Sequence, residues 1–275
     1  MDHISLEFEP LVRAVQQHVD DSLFVLVGFD GVLAEYRQDP GTVRLSPERR
    51  ELLRRVICHP RVALGVVSGR RVDDLRQRAG LGDDVFYIGL HGLEVVGPGF
   101  TRIEHQTFDQ YREQLREITT AAEPLISEIG GAHLENKEAA LALHTRQASS
   151  SDAVWARFHL LSRAGEVAGL QVFRVLRGNH VLELLPNIGP ARAAAIAALR
   201  DFLERRAGRR VFVVYVGEDV VEDDAYEAIA GHSVAAAVGQ RAAQVDHHLA
   251  SIETVDHLLV QLAALRDPGE EEQRS

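Results

Sequence analysis

The 275-residue chain has one cysteine, one methionine and one tryptophan, and its only lysine is Lys137, so 29 of its 30 Lys+Arg residues are arginine. Cys58 cannot form an internal disulfide and has no second thiolate beside it for a metal. Within Arg55-Val-Ile-Cys58 it reads as a buried packing residue in a reduced, cytoplasmic setting. No apolar run approaches the roughly 20 residues a spanning helix requires. Met1 to Pro10 is acidic, not a basic segment feeding an apolar one, so neither a membrane span nor a secretory signal is expected. Positive charge is also in deficit: 41 Asp+Glu against 30 Lys+Arg give a formal charge of −11. That balance argues against nucleic acid or an anionic membrane as the main partner, and a small anion would need a locally built site. The preference for arginine over lysine reads as genome composition.

What is present is ample core material, with 45% hydrophobic residues, enough for one large domain or two small ones. Leu23-Phe-Val-Leu-Val-Gly-Phe29 is a continuous apolar run, expected as a strand buried on both faces, and Asp30-Gly31 ends it. Ser46 to Val56 predicts a helix with Ser46 as N-cap and Pro47 at its first position. Val62 to Val67 predicts a second strand, halted at Ser68-Gly69-Arg70. A helix from Arg71 to Ala79, closed by Gly80, leads to a third strand at Val85–Ile88. This alternation is the signature of a doubly wound parallel sheet.

The middle of the chain breaks the rhythm. A long helical pattern from about Thr107 to Ile129 precedes a strand at Ala139–His144, a helix from Asp152 to Ala164 and a strand at Val181–Leu185. The two strands alternate in character, which suggests a sheet with one polar face. The α/β rhythm then resumes with a helix from Gly189-Pro190 to about Arg206, strands at Val211–Val216 and Val234–Val238, and a helix from Thr254 to Leu265. The expected organisation is a core domain over 1–104 and 186–267, an inserted domain over 105–185, and a disordered tail over 268–275.

In such sheets ligands lie beyond the carboxyl ends of the strands. Gly28-Phe-Asp-Gly31, Ser68-Gly-Arg70, the Gly189-Pro190 helix start and the acidic run after Val216 all fall there. Each alone has an ordinary explanation as a turn, a cap or a solvated helix start. Arg70 and the histidines other than His91 and His144 read as surface or capping residues.

Taken together and in order, these segments resemble the trehalose-6-phosphate phosphatases among the haloacid-dehalogenase-type phosphatases, over nearly the whole chain. The resemblance rests on Phe29-Asp-Gly31, Leu45-Ser-Pro-Glu48, Val66-Val-Ser-Gly-Arg70, Gly89-Leu-His-Gly-Leu-Glu94, Glu135-Asn-Lys137 with His144-Thr-Arg146, Gly178 with Glu183-Leu-Leu-Pro186, and Tyr215-Val-Gly-Glu-Asp219 with Glu222-Asp-Asp-Ala225. It implies a Rossmann-like core with a small α/β cap inserted after the third strand. It also implies an aspartyl-phosphate mechanism: one aspartate attacks phosphorus, a second two residues later serves as acid and base, and Mg2+ and a lysine neutralise phosphate charge.

The chain departs from that pattern where the chemistry is concentrated. Asp30 occupies the acid/base position, but the nucleophile position is Gly28, which has no side chain to phosphorylate. Ile188 stands where the family has its core lysine. The carboxylates implied for Mg2+ are Asp30, Glu218 and Asp219, and Ser68 with Gly69 occupies the phosphate-binding position. In the cap, Glu135, Lys137, Arg146 and Glu183 match residues that bind the sugar and its phosphate, while Asn179 stands at a later lysine position. Three readings follow. The favoured one is a catalytically impaired member that binds a sugar phosphate such as trehalose 6-phosphate, or a trehalose-synthesis enzyme. The others are an active Mg2+-dependent phosphatase using a substitute route, and a structural homologue without a ligand.

Overall fold

The computed structural model describes residues 3–37, 39–104, 108–189, 191–218, 231–239, 245 and 247–265. The chain divides into two compact units, Met1–Ile103 with Pro190–Ser275, and Glu104–Gly189.

The first unit is built on an eight-stranded sheet. In chain order its elements are α1 (His3–Gln17), β1 (Ser22–Gly28), α2 (Pro47–Ile57), β2 (Val62–Val67), α3 (Val72–Ala79), β3 (Phe86–Gly89), β4 (Glu94–Gly97) and β5 (Phe100–Glu104). After the second unit come α6 (Ala191–Ala207), β10 (Val211–Glu218), β11 (Ser233–Val238), β12 (His247–Leu249) and α7 (Ile252–Leu265). The strand order is β12-β11-β10-β1-β2-β3-β4-β5, with β12 through β3 mutually parallel and β4 antiparallel to β3.

The apolar run of β1 explains the layering. Its side chains alternate across the sheet: Leu23, Val25 and Val27 join a core with Leu11 and Val15 of α1, Leu53 of α2 and Leu258 of α7. Phe24 and Leu26 face the other way, against Ile196 and Leu199 of α6. Helices therefore cover both faces, and the sheet is Rossmann-like and doubly wound. The sequential order reverses between β1 and β10, so the crevice for a ligand opens at their carboxyl ends.

The second unit contains α4 (Phe108–Ile126), β6 (His133–Asn136), β7 (Leu141–His144), α5 (Ser150–Val167), β8 (Phe173–Gly178) and β9 (Val181–Pro186). Its antiparallel sheet has the order β6-β7-β9-β8. Leu134, Leu141, Leu143, Leu182 and Leu184 pack with Ile118 of α4 and Leu160 of α5. The other face carries the polar side chains.

Ser46 caps α2 as its sequence requires, its Oγ accepting from the Arg49 amide at 3.2 Å with Pro47 next in line. Several elements differ from the sequence reading. Helix α1 runs through Pro10, whose ring is exposed, and buries Phe8, Leu11 and Val15 along one stripe. The inserted sheet has four strands, since β6 and β8 are too short or too arginine-rich to stand out as apolar runs. Cys58 is exposed, not buried: it is the C-cap of α2, and the helical period that buries Leu53 and Val56 turns residue 58 to solvent. The tail 268–275 lies outside the described residues. No helix among them is long and apolar enough to cross a membrane.

Candidate functional site

The first group of candidate residues gathers at the carboxyl ends of β1, β2 and β10. Beyond β1 the chain turns sharply: the Gly31 amide donates to the Ala34 carbonyl at 2.8 Å and the Leu33 amide to the Phe29 carbonyl at 3.0 Å. Gly31 sits at φ +75°, where an added Cβ would come within 2.8 Å of the Tyr36 ring. This turn holds Asp30 over the sheet end.

The Asp30 carboxylate is taken up by Arg70. Arg70 Nη2 donates to Oδ1 at 2.8 Å and Nε donates to Oδ2 at 2.9 Å, while the Ser68 hydroxyl donates more weakly to Oδ2 at 3.3 Å. A parallel fork of this kind is the strongest arrangement a guanidinium and a carboxylate can make. Arg70 is itself fixed from behind, since its Nη1 donates to Asp74 Oδ2 at 3.2 Å and its guanidinium lies 5.9 Å from the Phe29 ring centroid. Burial on its own would lower the Arg70 pKa; the hydrogen bonds and charge of Asp30, then of Asp74, outweigh it and hold the group above its ordinary value. Asp74 is held by a second arginine, with Arg78 Nε donating to Oδ2 at 2.6 Å, and Arg78 in turn donates to the carbonyls of Pro40, Gly41 and Val43.

Gly28, the last residue of β1, presents no side chain here. A Cβ added to it would meet Val32 Cγ2 at 3.0 Å and the Gly217 Cα at 3.7 Å, so β1 and β10 converge at this point. Glu218 ends β10 beside the Asp30 turn, its carboxyl carbon 3.3 Å from where a Gly31 Cβ would be, and it accepts a short hydrogen bond from the Tyr36 hydroxyl. Asp219 and Glu222 lie outside the described residues.

Magnesium prefers near-octahedral oxygen ligation through one or two carboxylates with substrate phosphate and water. Among the described residues the donor set does not fit this demand. Gly28 offers nothing, both oxygens of Asp30 accept from a guanidinium, and Glu218 accepts from Tyr36. A divalent cation at Asp30 would face the Arg70 charge directly.

The segment Gly89–Glu94 serves the architecture. Leu90, His91 and Gly92 adopt successive positive φ angles of 46°, 55° and 96°. They turn the chain so that the fully buried Glu94 accepts from the Val72 amide at 2.8 Å, closing the first turn of α3, which has no side-chain cap of its own.

The second group lies on the polar face of the inserted sheet. Lys137 follows β6 and donates a short hydrogen bond to Glu183 Oε1 of β9; both side chains are buried. Strand register brings Glu135 and Glu183 to one row, because Ala142 of β7 pairs with both, and Lys137 follows two residues after Glu135. Glu135 Oε2 and His144 Nε2 lie 2.9 Å apart. Burial pushes the Glu135 carboxyl up, but the His144 hydrogen bond and the Lys137 charge prevail and leave it below its usual 4.5. Arg146 stands beyond the far end of β7, its Nη2 donating to the Asn179 carbonyl at 3.3 Å.

Asp30 and Ser68 are thus brought together, with Gly69 in the same turn and Glu218 alongside. Glu135, Lys137 and Glu183 form a second set, and Arg146 sits apart with Asn179. Sequence reasoning missed Arg70, Tyr36 and His144. For Arg70 a signal existed: it directly follows Ser68-Gly69 at a strand end that faces the crevice.

A family model described as trehalose-phosphatase matches residues 26–254. A trehalose-phosphate phosphatase of Mycobacterium tuberculosis is 28% identical over 220 residues, covering 76% of this chain and 52% of that protein. A protein described as an uncharacterized glycosyl hydrolase from the same organism is 30% identical over 250 residues, covering 87% of this chain and 18% of its own length. The chain thus spans about half the length, or less, of these relatives. Among solved structures, the C-terminal domain of Candida albicans trehalose-6-phosphate phosphatase superposes with a TM-score of 0.76 at 18% identity, covering 94% of this chain and 98% of that one. The C-terminal domain of a Candida albicans trehalose synthase regulatory protein gives 0.70 at 12% identity, covering 92% and 97%. At these identities the superpositions establish the fold.

Proposed function

The chain belongs to the trehalose-phosphatase family, and from that membership we propose that it is a member in which covalent phosphoryl transfer has lapsed while a sugar-phosphate-binding surface has been kept. The observation that carries this reading is the state of the two positions that should exchange the phosphoryl group. Gly28 has no atom to attack phosphorus, and Asp30 is committed to Arg70 through two hydrogen bonds. A carboxylate so held is a poor base, because taking a proton costs it the interaction with the guanidinium. Ile188 in place of the lysine removes a further charge from the chemistry the family pattern implies.

Mg2+ binding is weakened or lost on the same reading. Phosphate chemistry would fall to the core segments 1–104 and 186–267. Recognition of a sugar phosphate such as trehalose 6-phosphate would fall to the cap segment 105–185 through Glu135, Lys137, Arg146 and Glu183. The retained Lys137–Glu183 pair supports this assignment, since a buried lysine and glutamate offer donors and acceptors that sugar hydroxyls can share. A trehalose-synthesis enzyme is the macromolecular partner that fits such a role, in the cytoplasm.

The test is phosphate release from trehalose 6-phosphate with Mg2+, for the native chain, Gly28→Asp, and Gly28→Asp with Ile188→Lys. The expected result is negligible native turnover and a rise on restoring the two side chains. Substantial native turnover abolished by Asp30→Asn would overturn the lapsed-catalysis reading. A thermal shift with millimolar trehalose 6-phosphate, without Mg2+, tests ligand retention separately. Ligand at about 100 times its dissociation constant adds about 2.7 kcal/mol to the folded state.

A further inference from the structure

At the opposite end of the core sheet from Asp30, three metal-ligating side chains converge. His18 lies just after α1, Asp21 just before β1 and His232 just before β11. Asp21 Oδ2 is 3.0 Å from His18 Nδ1 and 2.9 Å from His232 Nε2, and the three ligand atoms all lie within 4.8 Å of one another. It is the only group of three or more such side chains within this reach among the described residues. The seven residues of β1, about 23 Å of extended chain, and Phe29 lie between Asp21 and Asp30.

The cluster is held in place by packing. The His18 ring stacks on the buried Phe212 at 4.1 Å between centroids and 13° between planes, and the His232 ring meets His18 edge-on at 4.6 Å and 88°. The connecting backbone is tied as well: the Asp21 amide donates to the His18 carbonyl at 3.1 Å and the Val213 amide donates to the His232 carbonyl at 3.2 Å. All three side chains are only partly exposed, at 32%, 19% and 13%.

We propose that His18 Nδ1, Asp21 Oδ2 and His232 Nε2 form a binding site for a divalent transition cation of borderline softness, such as Zn2+. Tetrahedral zinc with bonds of about 2.0–2.1 Å places its ligand atoms about 3.3 Å apart, so the two separations from Asp21 need to open by a few tenths of an ångström and the separation between the two histidines, within 4.8 Å, settles to the same value. Two imidazoles with one carboxylate favour such an ion over Mg2+ or Ca2+, and solvent would take the fourth position. Binding through these atoms requires His18 to carry its ring proton on Nε2 and His232 on Nδ1. The bound cation would join α1, β1 and β11 at the amino edge of the sheet.

Arg210 opposes this step. Its Nη2 lies 2.9 Å from His232 Nδ1, and a guanidinium only donates hydrogen bonds. It favours the tautomer with Nδ1 bare, so the exposed Arg210 side chain must turn away when the metal enters. Removing it should therefore strengthen binding, an effect that a merely structural His-Asp-His cluster does not predict.

The test uses the full chain, stripped with chelator and titrated with Co2+ and Zn2+, read by calorimetry, by visible absorption of the Co2+ form and by thermal melting. The expected result is one equivalent bound, tetrahedral Co2+ bands and a raised melting temperature. Asp21→Ala or His232→Gln should weaken binding more than about 100-fold. Arg210→Ala should tighten it by about tenfold, the scale on which groups behind metal ligands act. A variant lacking His247 and His248 should bind as the native chain does. No stoichiometric binding, equal affinity in the ligand variants, or an Arg210→Ala variant no tighter than native would each overturn the proposal. If the ligand variants fail to fold, Arg210→Ala and the Co2+ spectrum decide it.

Discussion

Arg70 grips Asp30 through two hydrogen bonds of 2.8 and 2.9 Å across 40 positions of sequence, at the carboxyl ends of adjacent strands. The Asp30 carboxylate, proposed above to occupy the acid/base position, is thereby an ion-pair partner of a guanidinium. The pair is only partly exposed, at 15% and 22% of the side-chain surfaces, so solvent screens it less than a surface bridge.

Breaking this pair should destabilise the protein and change its response to metal. Arg70→Ala leaves Asp30 with Ser68 alone, and the loss of charge-assisted hydrogen bonds predicts a cost of about 1.5–3 kcal/mol. It also removes the positive charge that opposes a cation at Asp30. Melting temperatures with and without millimolar Mg2+ should show a rise in Arg70→Ala that the native chain lacks. An equal rise in both would mean that Arg70 does not block the site.

Restoring a carboxylate at position 28 has a local steric cost. A Cβ at Gly28 comes within 3.0 Å of Val32 Cγ2, tighter than ordinary contact, although Gly28 is not at positive φ and its backbone accepts a side chain. Gly28→Asp should therefore be less stable than native, and Val32→Ala should relieve part of that loss. In a double-mutant cycle by urea denaturation the two changes should couple favourably by about 0.5–3 kcal/mol. Additive effects would show that Val32 is not the obstacle.

The arginine lattice around Asp74 predicts an acid-labile link. Burial raises the Asp74 pKa, but Arg78 and then Arg70 outweigh it, and the net value lies below the ordinary 3.8. A depressed folded-state value means that the stabilisation is fully present above about pH 4 and is lost as pH falls through the folded value. Asp74→Asn should lower stability at pH 7 and flatten its dependence on pH below about 4. An unchanged acid limb in denaturant titrations would assign the loss to other carboxylates.

Much of the core was legible because burial on both faces leaves a continuous apolar run, as in Leu23–Val27, and because Ser46-Pro47 states a helix start in local chemistry. The glycine at position 28, on which the proposed loss of the nucleophile rests, was equally legible, since Gly28 needs no partner to be recognised. What the sequence hid were relations between distant residues. Arg70 stands out from the 28 other arginines only by following Ser68-Gly69, and its meeting with Asp30 becomes visible only once β1 and β2 are aligned side by side. Strand β6, His-Leu-Glu-Asn, is four residues long and becomes a strand only by pairing with β7. Helix α1 hid behind Pro10, a residue that ordinarily breaks helices but here points its ring to solvent.

The one lysine of the chain offers the last prediction. Lys137 and Glu183 are buried together at 8% and 7% exposure, each the other's counter-charge. Removing one partner from a buried pair leaves the other desolvated and uncompensated, whereas replacing both with apolar groups can be nearly neutral. Lys137→Met should therefore cost about 3–5 kcal/mol, and Lys137→Met with Glu183→Leu should recover most of that loss. If the pair is also the sugar contact proposed above, the double variant should fold near native stability yet lose its thermal shift with trehalose 6-phosphate. A double variant that is stable and still shifts would separate the pair from ligand binding and leave it a structural element of the inserted sheet.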